Sequence, residues 1–119
     1  MKKIMLVDDA AFMRLNLKNI LKVVEDISIC EAENGVDALE KLPQHNPDLI
    51  ILDITMPEMD GIECLKGIRK FNPNCKVLMC SAMGQQAKVA ESIQNGANDF
   101  IVKPFDNDKF VEKVKRLLE

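Results

Sequence analysis

The stretch Leu49-Ile50-Ile51-Leu52-Asp53 decides how the rest of this chain is interpreted. Four consecutive aliphatic residues without polar alternation are typical of a strand that is buried on both faces, as strands in parallel sheets are. Three further apolar runs also end at a residue with reactive chemistry, and one, at residues 27–30, lacks such a residue at its end. The three are residues 4–7, which end at Asp8 and Asp9, residues 77–80, which end at Ser81, and residues 100–102, which end at Lys103 and Pro104.

Segments with helical periodicity separate these runs. After the first run, Met13, Leu17 and Leu21 fall on one face of an amphipathic helix. Arg14 and Lys18 fall on another face of the same helix, where we expect solvent. The first helix therefore has one side for the core and one for water.

Two later helices carry specific expectations. One begins at Asn34 and is expected to close at Pro43, because proline does not continue a helix. Another lies between residues 85 and 95 and is expected to pack through an apolar stripe. That stripe consists of Val89, Ala90 and Ile93.

Five strands that alternate with five helices predict an α/β fold with one doubly wound parallel sheet covered on both faces. In such open sheets, ligands bind outside the carboxyl ends of the strands, where the strand order reverses. The polar residues that end the apolar runs would all lie along that edge.

Length and composition narrow the class of protein. The 119 residues predict one domain, residues 1–119, and 47% apolar residues are enough for an ordinary core. The net charge of −3 gives no reason to expect nucleic acid as a partner. No apolar stretch approaches the ~20 residues that span a membrane, and the four cysteines show no metal-binding spacing, so we expect a cytoplasmic protein with reduced thiols.

The residues at the strand ends have the chemistry of a phosphate-handling site. The Asp53 carboxylate can accept a phosphoryl group as an acyl phosphate. Asp8 and Asp9 would repel that group unless a cation lies between the three acids, and Mg²⁺ prefers such oxygen ligands. Lys103 and Ser81 would supply a positive charge and a hydroxyl donor for the phosphoryl oxygens.

Each of these residues alone has a simpler explanation. An aspartate after a strand is often only a helix N-cap. Lys103 and Pro104 alone would indicate a solvated loop, and a single serine in a loop indicates little. The prediction depends on their occurring together at one edge of the sheet.

The chain resembles the receiver domains of bacterial two-component response regulators over its whole length. The resemblance rests on Val7-Asp8-Asp9, Leu52-Asp53 followed by Met56-Pro57 and Asp60-Gly61, Ser81-Ala82, and Lys103-Pro104-Phe105. Residues 8–14, 53–59 and 80–86 are similar to the thermophile and Gram-positive branch of the single-domain chemotaxis regulators. The family implies a flavodoxin-like sheet with strand order 2-1-3-4-5.

The resemblance also implies a role for each site residue. Asp53 would be the phosphoacceptor, and Lys103 would bind the phosphoryl group. The Mg²⁺ ligands would be Asp8, Asp9, Asp53 and the backbone carbonyl of Thr55, with Asp8 acting largely through water. Ser81 would be the switch hydroxyl and Phe100 the switch aromatic, in place of the tyrosine common in the chemotaxis branch. The Lys103–Pro104 peptide bond would be cis.

The implied function is a signalling switch that binds partners. A histidine kinase would supply the phosphoryl group, and the face formed by the last two helices and the Phe100 strand would change and bind a downstream target. The chemotaxis branch implies the flagellar motor switch as that target, a phosphatase as a further partner, and a monomer. Such a domain catalyses its own phosphorylation and dephosphorylation and does not turn over external substrates.

Other functions stay open at this stage. A phosphorelay intermediate and a receiver of a longer regulator share the same residues. A Mg²⁺-dependent aspartyl phosphatase also uses an aspartyl nucleophile, but Thr55 stands where that class has a second acid. Flavin binding has only the fold behind it, and the chain has no Trp or Tyr to stack on a flavin.

Overall fold

The computed structural model describes residues 1–119, in which five strands alternate with five helices. The strands are β1 (Lys2–Val7), β2 (Ile27–Ala32), β3 (Leu49–Asp53), β4 (Lys76–Ser81) and β5 (Asp99–Val102). The helices are α1 (Ala11–Ile20), α2 (Gly35–His45), α3 (Gly61–Phe71), α4 (Gln86–Gln94) and α5 (Asn107–Leu118), and a 3₁₀ turn at Leu21–Val23 follows α1. No helix combines the length and the apolar character needed to cross a membrane.

The five strands form one sheet in the order β2-β1-β3-β4-β5, and every neighbouring pair is parallel. The predicted fold class and strand order are therefore confirmed. Since β1 is flanked by β2 on one side and β3 on the other, the chain direction across the sheet reverses there. The crevice at that point opens between the carboxyl ends of β1 and β3.

Alternation along the strands builds two cores, one on each face of the sheet. One core packs α2, α3 and part of α4 against side chains such as Val7 and Leu52. The other packs α1 and α5 against side chains such as Leu6 and Ile51, with Phe110 completely buried in it. Burial of a side chain of that size stabilises the fold by about 1.5–3 kcal/mol.

Polar side chains fix where three helices begin. The side-chain carbonyl oxygen of Asn34 accepts the Asp37 backbone N–H at 2.8 Å, and the Asp60 carboxylate accepts the Glu63 N–H at 2.9 Å. Asp106 caps α5 in the same way. Each cap satisfies a backbone donor that has no partner inside its helix, which contributes about 1 kcal/mol.

The expected end of α2 at Pro43 is wrong, because the helix continues to His45. Pro43 lies in the last turn, so its missing N–H removes only one hydrogen bond of the helix. The helix ends instead at Asn46, which has a φ of 44° and donates its N–H to the Leu42 carbonyl at 2.8 Å. A left-handed residue of this kind is a common end of a helix.

The expected packing of α4 is confirmed only for Val89, which packs against the core on the α2–α3 face. Val89 is only partly buried, Ala90 is exposed, and Ile93 is 45% exposed to solvent. The fully buried residue of α4 is Ser92, whose hydroxyl donates to the Lys88 carbonyl at 2.8 Å. That bond satisfies the hydroxyl within the helix and allows a polar residue to be buried. Ala90 and Ile93 of the apolar stripe are left on the surface.

Candidate functional site

Three carboxylates meet at the crevice between β1 and β3. Val7 pairs with Leu52 across the two strands, so Asp8 and Asp53 follow at the same edge. One oxygen from each of Asp8, Asp9 and Asp53 lies within 4.8 Å of the other two. Asp8 and Asp53 are 4% and 9% exposed, whereas Asp9 faces solvent.

Backbone hydrogen bonds hold Asp8 in place. One of its carboxylate oxygens accepts the Ala10 N–H at 2.9 Å, and its own N–H donates to the Ala32 carbonyl at 3.2 Å. Its carbonyl accepts a hydrogen bond from the Arg14 guanidinium, which also donates to the Glu31 carboxylate at 2.9 Å. The Arg14 side chain is only 14% exposed, so the expectation that it is solvated is wrong.

Lys103 places one positive charge between the two buried acids. Its Nζ lies 3.3 Å from Asp53 Oδ1 and 3.6 Å from Asp8 Oδ2. Its backbone N–H donates to the Ser81 carbonyl at 2.7 Å, and the Lys103–Pro104 peptide bond is cis. The side chain thus reaches from the end of β5 into the crevice.

Burial and charge shift the protonation of this pair. Burial raises the pKa of the Asp53 carboxyl, the Lys103 ammonium offsets part of that rise, and the Asp8 charge adds to it. Burial alone would lower the pKa of Lys103, but attraction to Asp53 and Asp8 outweighs it and raises the pKa. The pocket therefore disfavours accumulated negative charge and retains its cation.

Ser81 ends β4, the strand next to that of Asp53, and is buried without a hydrogen-bond partner for its hydroxyl. It is 1% exposed, and its hydroxyl is the one buried side-chain polar atom that has no partner. Side chains along a strand alternate between the two faces of the sheet. Leu78 and Cys80 lie on the α1–α5 face, as Asp53 does. Ser81, the next residue after Cys80, therefore lies on the opposite face. A buried hydroxyl without a partner costs about 1–3 kcal/mol, so this position needs an explanation.

Gly61 shapes the loop that follows Asp53. Its N–H donates to the Ile54 carbonyl at 2.7 Å, which closes the loop tightly. A Cβ at this position would collide with the carbonyl oxygen of Asp53 and lie 2.7 Å from the Ile54 Cα. In the sequence, Gly61 is notable only as part of the Asp60-Gly61 motif, and nothing there predicts this close contact.

Gln85 connects two loops at the site. Its side-chain carbonyl accepts the Ala82 N–H at 2.7 Å, and its side-chain amide donates to the Thr55 hydroxyl at 2.7 Å. The Thr55 residue is exposed. Nothing in the sequence predicted this connection, because Thr55 and Gln85 are 30 positions apart.

Phe100 lies on the surface, away from the three acids. It is 39% exposed and lines a groove of about 460 Å³. The other apolar residues that line the groove are Ala82, Met83, Val89, Ala90 and Val102. The groove joins the exposed stripe of α4 to the outer face of β5.

The acidic cluster fits a small divalent cation. Mg²⁺ binds oxygen ligands at 2.0–2.1 Å in an octahedron, so ligand oxygens on opposite sides of the ion are about 4.2 Å apart. The three carboxylates already lie within 4.8 Å of one another, so only a small contraction is needed. An ion at this position would also neutralise the repulsion that Lys103 only partly offsets.

Comparisons with known proteins cover nearly the whole chain. The response regulator receiver domain family matches residues 4–115. The chemotaxis protein CheY of Bacillus subtilis (strain 168) is 52% identical over 116 residues, which cover 98% of this chain and 97% of the relative. The chemotaxis protein CheY of Thermotoga maritima is 50% identical over 116 residues, with 98% and 97% covered.

A solved structure shows the same architecture. The response regulator domain of Thermotoga maritima CheB superimposes with a TM-score of 0.88 at 35% identity, covering 99% of this chain and 96% of that one. The resemblance inferred from the sequence motifs is therefore confirmed, both in sequence and in fold.

Proposed function

Because this chain belongs to the response regulator receiver domain family, we propose that residues 1–119 form one receiver domain that acts as a phosphorylation-dependent switch. The observation that carries this proposal is the contact of Lys103 with Asp53 and Asp8 beside a third acid, Asp9. A nucleophilic carboxylate, an acidic cluster and one cation are the parts that phosphoryl transfer to an aspartate requires.

Asp53 is the phosphoacceptor in this proposal. Its carboxylate attacks the phosphorus of a phosphohistidine on a histidine kinase, the P–N bond breaks, and the imidazole leaves with the bonding electron pair. Asp8, Asp9 and the Thr55 carbonyl would hold Mg²⁺ with Asp53, and the bound ion would offset the charge of the incoming phosphoryl oxygens. The Lys103 ammonium already points at Asp53 and would bind a further oxygen.

Ser81 supports the switching step. Its buried hydroxyl lacks a partner, and a phosphoryl group on Asp53 would supply a strong acceptor. Because the two side chains leave the sheet on opposite faces, Ser81 would have to shift with the start of the β4–α4 loop. We propose that Phe100 turns inward when this shift makes room for its ring.

The surface that changes is the α4-β5-α5 face. Its groove exposes Phe100, Val102 and the apolar stripe of α4, a type of surface that marks protein interaction sites. We propose that this face binds a downstream protein, the flagellar motor switch, since the Bacillus subtilis and Thermotoga maritima relatives are named chemotaxis proteins. A phosphatase that removes the phosphoryl group is a further proposed partner. The proposed location is the cytoplasm, where ATP supplies the phosphoryl group to the kinase.

The proposal is tested by incubating the protein with Mg²⁺ and a small phosphodonor and measuring its intact mass. One added phosphoryl group is expected in the natural sequence and in Asp108→Asn, a matched loss of charge on the exposed side of α5. Asp53→Asn should stay unmodified. Retention of the modification in Asp53→Asn would overturn the assignment, and sustained hydrolysis of phosphate esters would instead favour an aspartyl phosphatase.

A further inference from the structure

The Gln85 side chain joins the loop after β3 to the loop after β4. The Ala82 N–H reaches its carbonyl oxygen at 2.7 Å, and its amide nitrogen reaches the Thr55 hydroxyl at 2.7 Å. Since a backbone N–H can only donate, the carbonyl oxygen must face Ala82, which fixes the orientation of the amide. One side chain thus bridges two segments that each begin next to a residue of the phosphoryl site.

Little else restrains residues 82–84. They take part in no backbone hydrogen bond outside the helices and strands. Met83 is 77% exposed, and Gly84, at a φ of 87°, has no atom within 4 Å of the place a Cβ would take. Together with the partnerless hydroxyl of Ser81 just before them, these features leave Gln85 as the main tether of the loop.

We propose that Gln85 is a positioning residue that holds the loop of residues 82–85 in the arrangement of the unmodified protein and releases it when Asp53 is phosphorylated. This inference rests on the proposed function, in which Ser81 moves toward the phosphoryl group. Ser81 is covalently joined to Ala82, and Thr55 is two residues from Asp53. A shift of Ser81 toward Asp53 therefore changes the span that Gln85 bridges and breaks at least one of its hydrogen bonds.

The tether sets the balance between the two states. A contact that exists in only one of two states shifts their equilibrium toward that state by its own free energy. The net contribution of one or two ordinary hydrogen bonds corresponds to roughly a fivefold to tenfold change in the equilibrium. Removal of the Gln85 amide should therefore favour the phosphorylated arrangement by that factor. A residue that merely supported the site would act in the opposite direction when removed.

The test uses beryllium fluoride with Mg²⁺ as a phosphoryl mimic, titrated into ¹⁵N-labelled protein while the Ala82 amide is followed by NMR. Gln85→Leu should lower the half-saturating concentration roughly fivefold to tenfold. Thr55→Val, which loses the hydroxyl but keeps the backbone carbonyl, should lower it in the same direction. The double variant Gln85→Leu with Thr55→Val should have the same half-saturating concentration as Gln85→Leu alone, because Gln85→Leu already removes the hydrogen bond to Thr55.

Gln86→Leu is the matched control. Gln86 is the next residue, is exposed and makes no side-chain hydrogen bond, so its loss should leave the half-saturating concentration unchanged. In the free protein, hydrogen exchange at the Ala82 amide should be faster in Gln85→Leu than in Gln86→Leu. This second measurement reports the bridge without any phosphoryl mimic.

The outcomes separate the two proposals. If the natural sequence responds to the mimic and Gln85→Leu responds equally or more weakly, the role of Gln85 is overturned while the switch stands. Equal hydrogen exchange in the two glutamine variants would overturn it as well. If the natural sequence shows no response at Asp53, the proposed function itself fails.

Discussion

The ammonium group of Lys103 lies 3.3 Å from the Asp53 carboxylate and joins the carboxyl ends of two strands that are not neighbours in the sheet. The same group is 3.6 Å from Asp8. One cation therefore balances two nearly buried acids, and the region needs more positive charge before it can accept an anionic group.

Replacement of Lys103 by methionine should destabilise the metal-free protein. The variant keeps the length of the side chain but leaves Asp53 and Asp8 without their shared cation, which should cost about 1–3 kcal/mol. Urea denaturation in a chelating buffer measures the free energy of unfolding. Lys66→Met, at an exposed position on α3, is the control and should change it little. An equal effect in the two variants would show that the Lys103 pair contributes nothing.

Replacement of Asp53 by asparagine should stabilise the metal-free protein at neutral pH. The folded state raises the pKa of Asp53, chiefly through burial. A carboxylate of this kind disfavours folding as the pH rises through its folded pKa, and has no such effect below the ordinary value of about 3.9. The melting temperature in chelator should thus be higher than that of the natural sequence at pH 7, and the gain should vanish near pH 4. A lower melting temperature at pH 7 would contradict the clustering of the acids.

Gly61 should tolerate no side chain. In Gly61→Ala the Cβ meets backbone atoms of Asp53 and Ile54, which cannot move without displacing the Asp53 side chain. We expect a loss of about 1–3 kcal/mol in stability and slower phosphorylation. Gly67→Ala is the matched helical control, since its Cβ meets only the flexible end of Leu39 and alanine favours the helix. Similar stability losses in the two variants would refute the contact.

The strand ends were predictable because each depends on a few adjacent residues. A continuous apolar run followed by an acid, as at residues 49–53, is a local signal of a buried strand and its exit. Since parallel strands end at one edge, the meeting of Asp8, Asp53 and Lys103 follows from the fold class. The strand order itself came from the family resemblance, because a sequence of alternating elements permits several orders.

Apart from the end of α2 at Pro43, the errors concern contacts between distant residues. Arg14 has the spacing of a solvated position, and only the approach of Glu31 from β2 makes it a partly buried ion-pair partner. The stripe of α4 has helical periodicity, but Ser92 and not Ile93 faces the protein. Hydrophobic periodicity shows that a helix is amphipathic, and it does not show whether the apolar side meets the sheet or a partner protein.

The ion pairs of Glu31 with Lys18 and Arg14 should stabilise the fold, and added salt should weaken this stabilisation. A hydrogen bond from Lys18 lowers the pKa of Glu31, burial opposes this, and Arg14 adds to the lowering. This stabilisation is fully present at a pH above the ordinary pKa of Glu, and it is lost as the pH falls through the lower pKa that Glu31 has in the folded state. Glu31→Gln should therefore reduce stability at pH 7 by at most about 1 kcal/mol, since the pair is partly exposed.

The check on Glu31 is a set of urea curves at pH 7 and pH 3, at low and high salt. Glu33→Gln, an exposed neighbour whose carboxylate makes no hydrogen bond, should leave the pH 7 value unchanged. At pH 3 the Glu31→Gln variant and the natural sequence should approach each other. A difference that persists at pH 3 would mean that packing, and not charge, accounts for the effect.

We propose that Asp53, Ser81 and Lys103 form one phosphoryl site together with Asp8 and Asp9, which follow β1. This proposal is tested most directly by a crystal structure of the protein with Mg²⁺ and beryllium fluoride. We predict beryllium on the Asp53 carboxylate, the Lys103 ammonium and the Ser81 hydroxyl each within hydrogen-bond distance of a fluoride, and Mg²⁺ among Asp8, Asp9, Asp53 and the Thr55 carbonyl. A structure in which the mimic occupies Asp53 while the Ser81 hydroxyl stays buried without a partner would contradict the account.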